Sequence, residues 1–121
     1  MSKKILIVED ENLIAKVLSI RFENLGHKVF VAADGEAGLA LVKKEKPDLV
    51  MLDIGLPKID GNTLCELIKT DADLKHIKVV MLTGKSLLGD MENAFHAGAD
   101  LYVSKPYDWA RLLAQLQKLL P

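Results

Sequence analysis

The chain has 121 residues, half of them apolar, and its 16 basic and 17 acidic residues leave a formal charge of -1. This size and composition predict one globular domain over residues 1–121, and the balanced charge gives no electrostatic support for direct binding to nucleic acid. The single cysteine, Cys65, excludes an internal disulfide and fits a reducing compartment. No apolar run is long enough to span a membrane, and the four apolar residues after Lys3 and Lys4 do not make a signal peptide. We therefore expect a cytoplasmic protein with no membrane contact.

Strand-like and helix-like segments alternate along the chain. Short runs of β-branched and other apolar residues predict strands, and apolar residues three or four positions apart predict helices. In chain order, the sequence predicts strands at residues 5–8, 28–32, 48–53, 77–82 and 101–104, and helices at residues 11–25, 36–44, 62–70, 86–97 and 109–120. Because parallel strands need crossover connections, this alternation predicts a three-layer α/β domain with helices on both faces of a parallel sheet.

Polar side chains follow four of the predicted strands at the point where each strand ends. Glu9 and Asp10 follow the first strand and Asp53 ends the third, whereas Thr83 and Lys105 follow the fourth and fifth. The carboxyl ends of parallel strands meet at one edge of a sheet, where such sheets bind ligands. Three neighbouring carboxylates would repel one another unless a cation bound them, and Mg²⁺ suits such oxygen ligands. The sequence therefore predicts a site for a divalent cation and a phosphoryl group.

Asp53 is the predicted nucleophile, because a carboxylate at the end of a buried strand can accept a phosphoryl group as an acyl phosphate. Lys105 would neutralise charge on the phosphoryl oxygens, and the Thr83 hydroxyl would donate a hydrogen bond to them. In the structural alternative, Glu9 and Asp10 cap the next helix and Asp53 caps a turn. The Thr83 hydroxyl then bonds to its own loop, and Lys105 is a solvated surface lysine. Because the acids come from two separate strands, we favour the cation and phosphoryl site over the structural alternative.

Four segments of the chain resemble the receiver domains of bacterial two-component response regulators. They are ILIVEDE at 5–11, PDLVMLDIGLPKIDG at 47–61, VVMLTG at 79–84 and GADLYVSKP at 98–106. The resemblance covers the whole chain and implies a single receiver domain over residues 1–121. It also implies a flavodoxin-like, doubly wound sheet of five strands in the order 2-1-3-4-5. In that order the first and third strands are neighbours, as the convergence of the acids requires.

The resemblance further implies specific roles for the site residues. Asp53 would accept a phosphoryl group from a phosphohistidine on a sensor histidine kinase or a histidine phosphotransfer protein. Asp10 and Asp53 would bind Mg²⁺, or Mn²⁺ in its place, directly, whereas Glu9 would act through water and Gly55 through its backbone carbonyl. The chain would be a monomer that can dimerise on phosphorylation.

A switch formed by Thr83 and Tyr102 and a cis peptide bond before Pro106 are also implied by the resemblance. If phosphoryl oxygens draw the Thr83 hydroxyl inward, the ring of Tyr102 could fill the space that opens. The surface of the fourth helix, the fifth strand and the last helix would then change, and a downstream protein target or output domain would read that change. The alternative is an ordinary half-buried tyrosine whose hydroxyl contacts water.

Gly55 and Lys85 depart from the residues that are common in the family. Because Gly55 has no side chain with which to orient a hydrolytic water, we expect slow self-dephosphorylation unless Lys85 positions that water. An aspartyl-phosphate phosphatase of the haloacid type is disfavoured, since Asp53-Ile54-Gly55 lacks the second acid of its Asp-x-Asp arrangement. The complete set of acids, hydroxyl and lysine also disfavours a phosphorylation-independent pseudo-receiver. We therefore expect a regulatory phosphoacceptor domain rather than an enzyme, capable of slow self-phosphorylation from small donors.

Overall fold

Five parallel strands form one sheet in the computed structural model of the chain, which describes residues 2–53, 56, 58–83, 98–104 and 107–120. The strands are β1 (Lys4–Val8), β2 (Lys28–Ala32), β3 (Leu49–Asp53), β4 (Lys78–Thr83) and β5 (Leu101–Ser104). The described helices are α1 (Asn12–Asn24), α2 (Gly35–Glu45), α3 (Gly61–Thr70) and the last helix (Trp109–Leu119). The strand order is β2-β1-β3-β4-β5. The predicted flavodoxin-like, doubly wound α/β fold is therefore confirmed.

The bounds of the described helices and strands differ from the predicted bounds by at most one residue. Helix α1 begins at Asn12 because Glu11 has an extended backbone. Helix α2 already includes Gly35, because the Asp34 side chain accepts a hydrogen bond from the backbone N–H of Ala37 and so caps the helix. The predicted helix at 86–97 lies outside the described residues. None of the described helices combines the length and the apolar character that a membrane crossing requires.

Apolar side chains cover both faces of the sheet. Along β1, Leu6 and Val8 belong to the core beneath α2 and α3, whereas Ile5 and Ile7 belong to the core beneath α1 and the last helix. Strand β3 alternates in the same way and is also buried on both faces. Central strands of this kind need continuous apolar sequences, which is the pattern of both segments. The carboxyl ends of β1 and β3 are therefore held by a core on either side.

An ion pair between Lys69 and Asp100 ties α3 to the segment that leads into β5. The Lys69 ammonium lies 2.8 Å from the Asp100 carboxylate, and it donates to the carbonyl oxygens of Lys75 and Ile77 at 3.0 and 2.9 Å. The same Asp100 oxygen accepts a hydrogen bond from the backbone N–H of Val79 at 2.8 Å. Only 16% of the Lys69 side chain and 21% of the Asp100 side chain are exposed, so water would compensate little for the loss of either partner.

His27 extends the pairing of β1 and β2 at the amino edge of the sheet. Its Nδ1 accepts a hydrogen bond from the backbone N–H of Lys3 at 3.1 Å, and its ring contacts Phe22 edge-on. Partial burial lowers the pKa of His27 below its usual value of 6.5, and the positive charge of Lys3 lowers it further. Protonation would also remove the Nδ1 acceptor, so the fold stabilises the neutral ring.

Replacing Lys69 with methionine should lower the free energy of unfolding by about 2–4 kcal/mol, because Asp100 would stay mostly buried without its partner. The matched control is Lys75→Met, which changes an exposed lysine in the neighbouring turn and should cost less than about 0.5 kcal/mol. Urea unfolding measures both values. Equal losses in the two variants would contradict the importance of the ion pair.

The free energy of unfolding should fall between about pH 7 and about pH 5 by more in the natural protein than in His27→Gln. The pKa of His27 is lower in the folded state than in the unfolded state. The stability that neutral His27 contributes is therefore complete above the unfolded pKa and is lost as the pH falls through the folded pKa. Glutamine can still accept from the Lys3 N–H but does not titrate.

Urea unfolding at both pH values measures this difference. His76→Gln is the matched control, because His76 is exposed, and this variant should keep the pH dependence of the natural protein. An unchanged pH dependence in His27→Gln would contradict the assignment.

Candidate functional site

The carboxyl ends of β1 and β3 bring three acidic side chains together. The two strands pair with Val8 opposite Leu52, so Glu9 leaves β1 at the level where Asp53 ends β3. One carboxylate oxygen from each of Glu9, Asp10 and Asp53 lies within 4.8 Å of the others. Glu9 is only 3% exposed, Asp53 is half-buried and Asp10 is exposed. The three acids therefore meet at one edge of the sheet, as their strand positions predict.

Helix capping does not explain the positions of Glu9 and Asp10. The N-cap residue of α1 is Glu11, whose side chain makes no capping hydrogen bond, and the two acids precede that position. Helix α3, in contrast, has a capping acid, since Asp60 accepts a hydrogen bond from the backbone N–H of Thr63 at 2.9 Å. The N-cap position of α1 therefore belongs to Glu11 rather than to Glu9 or Asp10.

The chemistry of the three acids fits a hard divalent cation. Carboxylates within 4.8 Å of one another repel, and the repulsion is stronger where one of them is buried and poorly screened by water. The set offers only oxygen atoms, which are the ligands that Mg²⁺ prefers, and its open position at the sheet edge leaves room for water or phosphate oxygens. The residues that are present therefore fit a bound Mg²⁺.

Lys58 and Ile59 lie against the start of α2. A Cβ atom added to Gly35 would collide with the carbonyl oxygen of Ile59, so only glycine fits at this contact. Lys58 has a positive φ of 67°, and its ammonium lies 3.6 Å from Asp34 and 4.0 Å from Glu36. The hydrogen bond from the backbone of Ala37 lowers the pKa of Asp34, and Lys58 contributes to the same shift. This contact could not be predicted from the sequence, because the two segments are far apart along the chain.

Tyr102 is half-buried and packs against the core beneath α2 and α3. It lies opposite Met81 in the pairing of β5 with β4. Its hydroxyl oxygen is buried and has no hydrogen-bond partner within the described part of the chain. The alternative of a tyrosine with a water-exposed hydroxyl is therefore wrong. A buried hydroxyl without a partner is costly, which makes this side chain a candidate for movement.

Several predicted site residues lie outside the described residues. They are Gly55, Lys85, Lys105 and Pro106, together with the side chain of Thr83. The backbone of Thr83 is described and ends β4, where it pairs with Ser104. Asp53 pairs with Leu82, so Thr83 leaves β4 one residue beyond the level of Asp53. The roles of all these residues stay predictions.

Comparison with known proteins finds relatives over nearly the whole chain. The family model described as response regulator receiver domain matches residues 5–117. The DNA-binding dual master transcriptional regulator RpaA of Synechocystis sp. (strain ATCC 27184 / PCC 6803 / Kazusa) is 41% identical over 117 residues, which make up 97% of this chain and 48% of that protein. The chain spans about half the length of the curated relatives it matches.

Solved structures are similar over the same span. The signal receiver domain of a signal transduction histidine kinase from Syntrophus aciditrophicus has a TM-score of 0.91 at 31% identity, covering 98% of this chain and 89% of that chain. The receiver domain of the sensor histidine kinase PA1611 from Pseudomonas aeruginosa PAO1, with a magnesium ion coordinated in the active site cleft, has a TM-score of 0.89 at 29% identity. The similarity covers 98% of this chain and 98% of the PA1611 chain.

Replacing Asp10 with asparagine should raise the free energy of unfolding in the absence of metal by about 0.5–1 kcal/mol, because one of three mutually repelling charges is removed. The matched control is Asp73→Asn, which changes an exposed acid in the turn before β4 and should have an effect within about 0.5 kcal/mol. Urea unfolding in a chelating buffer measures both variants. A metal-free Asp10→Asn variant less stable than the natural protein would refute the repulsion.

Proposed function

We propose that this chain, which belongs to the family of response regulator receiver domains, is a signalling switch that accepts a phosphoryl group on Asp53. Receiver domains are regulatory phosphoacceptors of two-component signalling, and the chain belongs to this class through its family. The assignment of the acceptor to one residue is supported by a single observation. Asp53 is the acid that ends a buried strand, and it lies within 4.8 Å of two further carboxylates.

Phosphoryl acceptance on Asp53 would proceed by exchange of one bond for another. A carboxylate oxygen of Asp53 attacks phosphorus, the bond from phosphorus to the donor's imidazole nitrogen breaks, and the nitrogen keeps the electron pair of that bond. The product is an acyl phosphate on Asp53. The proposed donor is a phosphohistidine on a sensor histidine kinase or a histidine phosphotransfer protein.

The acids beside Asp53 would hold the cation that this chemistry needs. Asp10 and Asp53 would bind Mg²⁺ directly, Glu9 through water and Gly55 through its carbonyl oxygen, and Mn²⁺ fits the same oxygen donors. When bound, the cation supplies charge neutralisation at the phosphoryl oxygens. The fit of the three acids supports this proposal, as does the magnesium ion in the similar PA1611 receiver domain.

Thr83, Lys105 and Tyr102 would turn phosphorylation into a change of surface. The Lys105 ammonium and the Thr83 hydroxyl would contact the phosphoryl oxygens, and the Tyr102 ring would move into the space that Thr83 leaves. The Tyr102 hydroxyl supports this step, because it is buried without a hydrogen-bond partner among the described residues and movement could give it one. A cis peptide bond before Pro106 is part of the same proposal.

A downstream protein or an output domain would read the changed surface. RpaA is described as a DNA-binding regulator and is about twice as long as this chain, whereas PA1611 is a sensor histidine kinase. We propose that residues 1–121 act as a single receiver unit, a monomer that contacts protein rather than nucleic acid and that can dimerise on phosphorylation.

Incubation with Mg²⁺ and acetyl phosphate should add the mass of one phosphoryl group to the natural protein and none to Asp53→Asn, because only an ionised carboxylate at this position can form the acyl phosphate. Mass spectrometry of the intact protein measures the change. Asp73→Asn should be modified like the natural protein, and a chelator should prevent modification.

Modification of Asp53→Asn would show that another residue is the acceptor. An unmodified natural protein would indicate a phosphorylation-independent pseudo-receiver, and continuous release of phosphate from many substrates would indicate a phosphatase. Each of these results would overturn the proposed function.

A further inference from the structure

A largely apolar cavity of about 390 Å³ opens at the amino edge of the sheet, opposite the acidic cluster. It lies between the start of β1, the end of α1 and the last helix, and its wall includes Ile5, Phe22 and Leu116. These three side chains are at most 2% exposed, so the wall is part of the packed core. Leu25 lines the same cavity but leaves 47% of its surface exposed, which an apolar ligand would cover. The volume lies in the range of about 300–1,000 Å³ that is usual for small-molecule pockets.

The polar groups at this cavity can donate hydrogen bonds. Lys3, His27 and Gln117 are the polar members of its described lining. His27 Nδ1 accepts from the Lys3 N–H, so the proton of the neutral ring is on Nε2, which becomes a donor. The Lys3 ammonium is a second donor and carries a full positive charge, and no described acid lies within ion-pair distance of it. The described lining also contains no carboxylate.

We propose that this cavity binds a small amphiphilic anion, with the class of medium-chain carboxylates as its ligand. The apolar body would occupy the space between Phe22, Leu25 and Leu116, and the carboxylate would accept hydrogen bonds from Lys3 and His27. A cationic or neutral head group of the same size would lack this charge complementarity. The site is separate from Asp53, so its test does not depend on phosphorylation.

The chain contains its own reporter for this site. Trp109 is the single tryptophan, and its ring contacts Phe22 edge-on with the centroids 5.3 Å apart. Because Phe22 forms part of the cavity wall, a ligand beside it should change the environment of the indole. Trp109 is also the first residue of the last helix. This helix lines the cavity and is the one proposed to take part in signalling output.

Three probes that differ only in the head group test the proposal on the full chain: octanoate, octanamide and octylamine. We expect octanoate to give saturable binding by calorimetry and by Trp109 fluorescence, with weaker binding of octanamide and the weakest of octylamine. Lys3→Gln should weaken octanoate binding by roughly tenfold and leave octanamide binding unchanged, because it removes one charge-assisted contact.

A matched pair of exposed leucines tests the location of the site. Leu25→Asp places a negative charge at the rim and should abolish octanoate binding, whereas Leu13→Asp makes the same substitution at a leucine that is 75% exposed and does not line this cavity. Leu13→Asp should bind octanoate like the natural protein. Circular dichroism of both variants verifies that the fold is retained.

Three results would overturn the proposal. They are the absence of saturable octanoate binding at millimolar concentrations below micelle formation, equal binding of the three probes, and equal binding of octanoate by Leu25→Asp and Leu13→Asp. Equal binding of the probes would show an apolar site with no preference for an anion.

Discussion

Repulsion between like charges at the carboxyl edge of the sheet is the constraint around which this domain is built. The four core residues of β1 and the first four residues of β3 are at most 1% exposed. One carboxylate oxygen of each acid that follows lies within 4.8 Å of the others. Glu9 cannot move away into water without leaving the end of a buried strand. Since burial weakens screening by water, the repulsion is greatest for this side chain. A group that brings positive charge to this edge therefore stabilises the arrangement of the strands as well as the site itself.

Lys58 and Ile59, which lie before α3, are held against the start of α2 mainly by backbone packing rather than by charge. Lys58 adopts a positive φ, which costs a non-glycine residue about 1–2 kcal/mol. Its ion pairs with Asp34 and Glu36 are long, and 60% of the Lys58 side chain is exposed, so each pair contributes less than about 1 kcal/mol. The close approach of Gly35 to the carbonyl oxygen of Ile59 leaves no space for adjustment. This contact packs Ile59 directly onto the start of α2.

Local patterns in the sequence predict those features of the structure that depend on neighbouring residues. The alternation of apolar runs predicts the parallel sheet. The carboxylate cluster joins residues from two separate strands, so its prediction also needs the strand order that the family resemblance implies. Cys65 lies in the core, where burial raises the pKa of its thiol to about 12. The pairing of Lys69 with Asp100 could not be predicted, because the partners are 31 residues apart and each resembles an ordinary surface residue. The cavity is hidden for the same reason, since its wall comes from separate strands and helices.

The last helix connects the two edges of the sheet, so events at either edge would act on the same element. Its first residue, Trp109, packs on Phe22 and lies 5.0 Å from the guanidinium of Arg21. Leu116, about two turns further along the helix, forms part of the cavity wall. Phosphorylation would reach this helix through β5 and Tyr102, and a ligand in the cavity would reach it through Phe22. A packed helix shifts as a unit rather than bending residue by residue. If both inputs move this helix, their binding free energies are coupled. The cavity ligand would then change the affinity of the output surface for its partner, and the partner would change the affinity of the cavity for its ligand by the same factor.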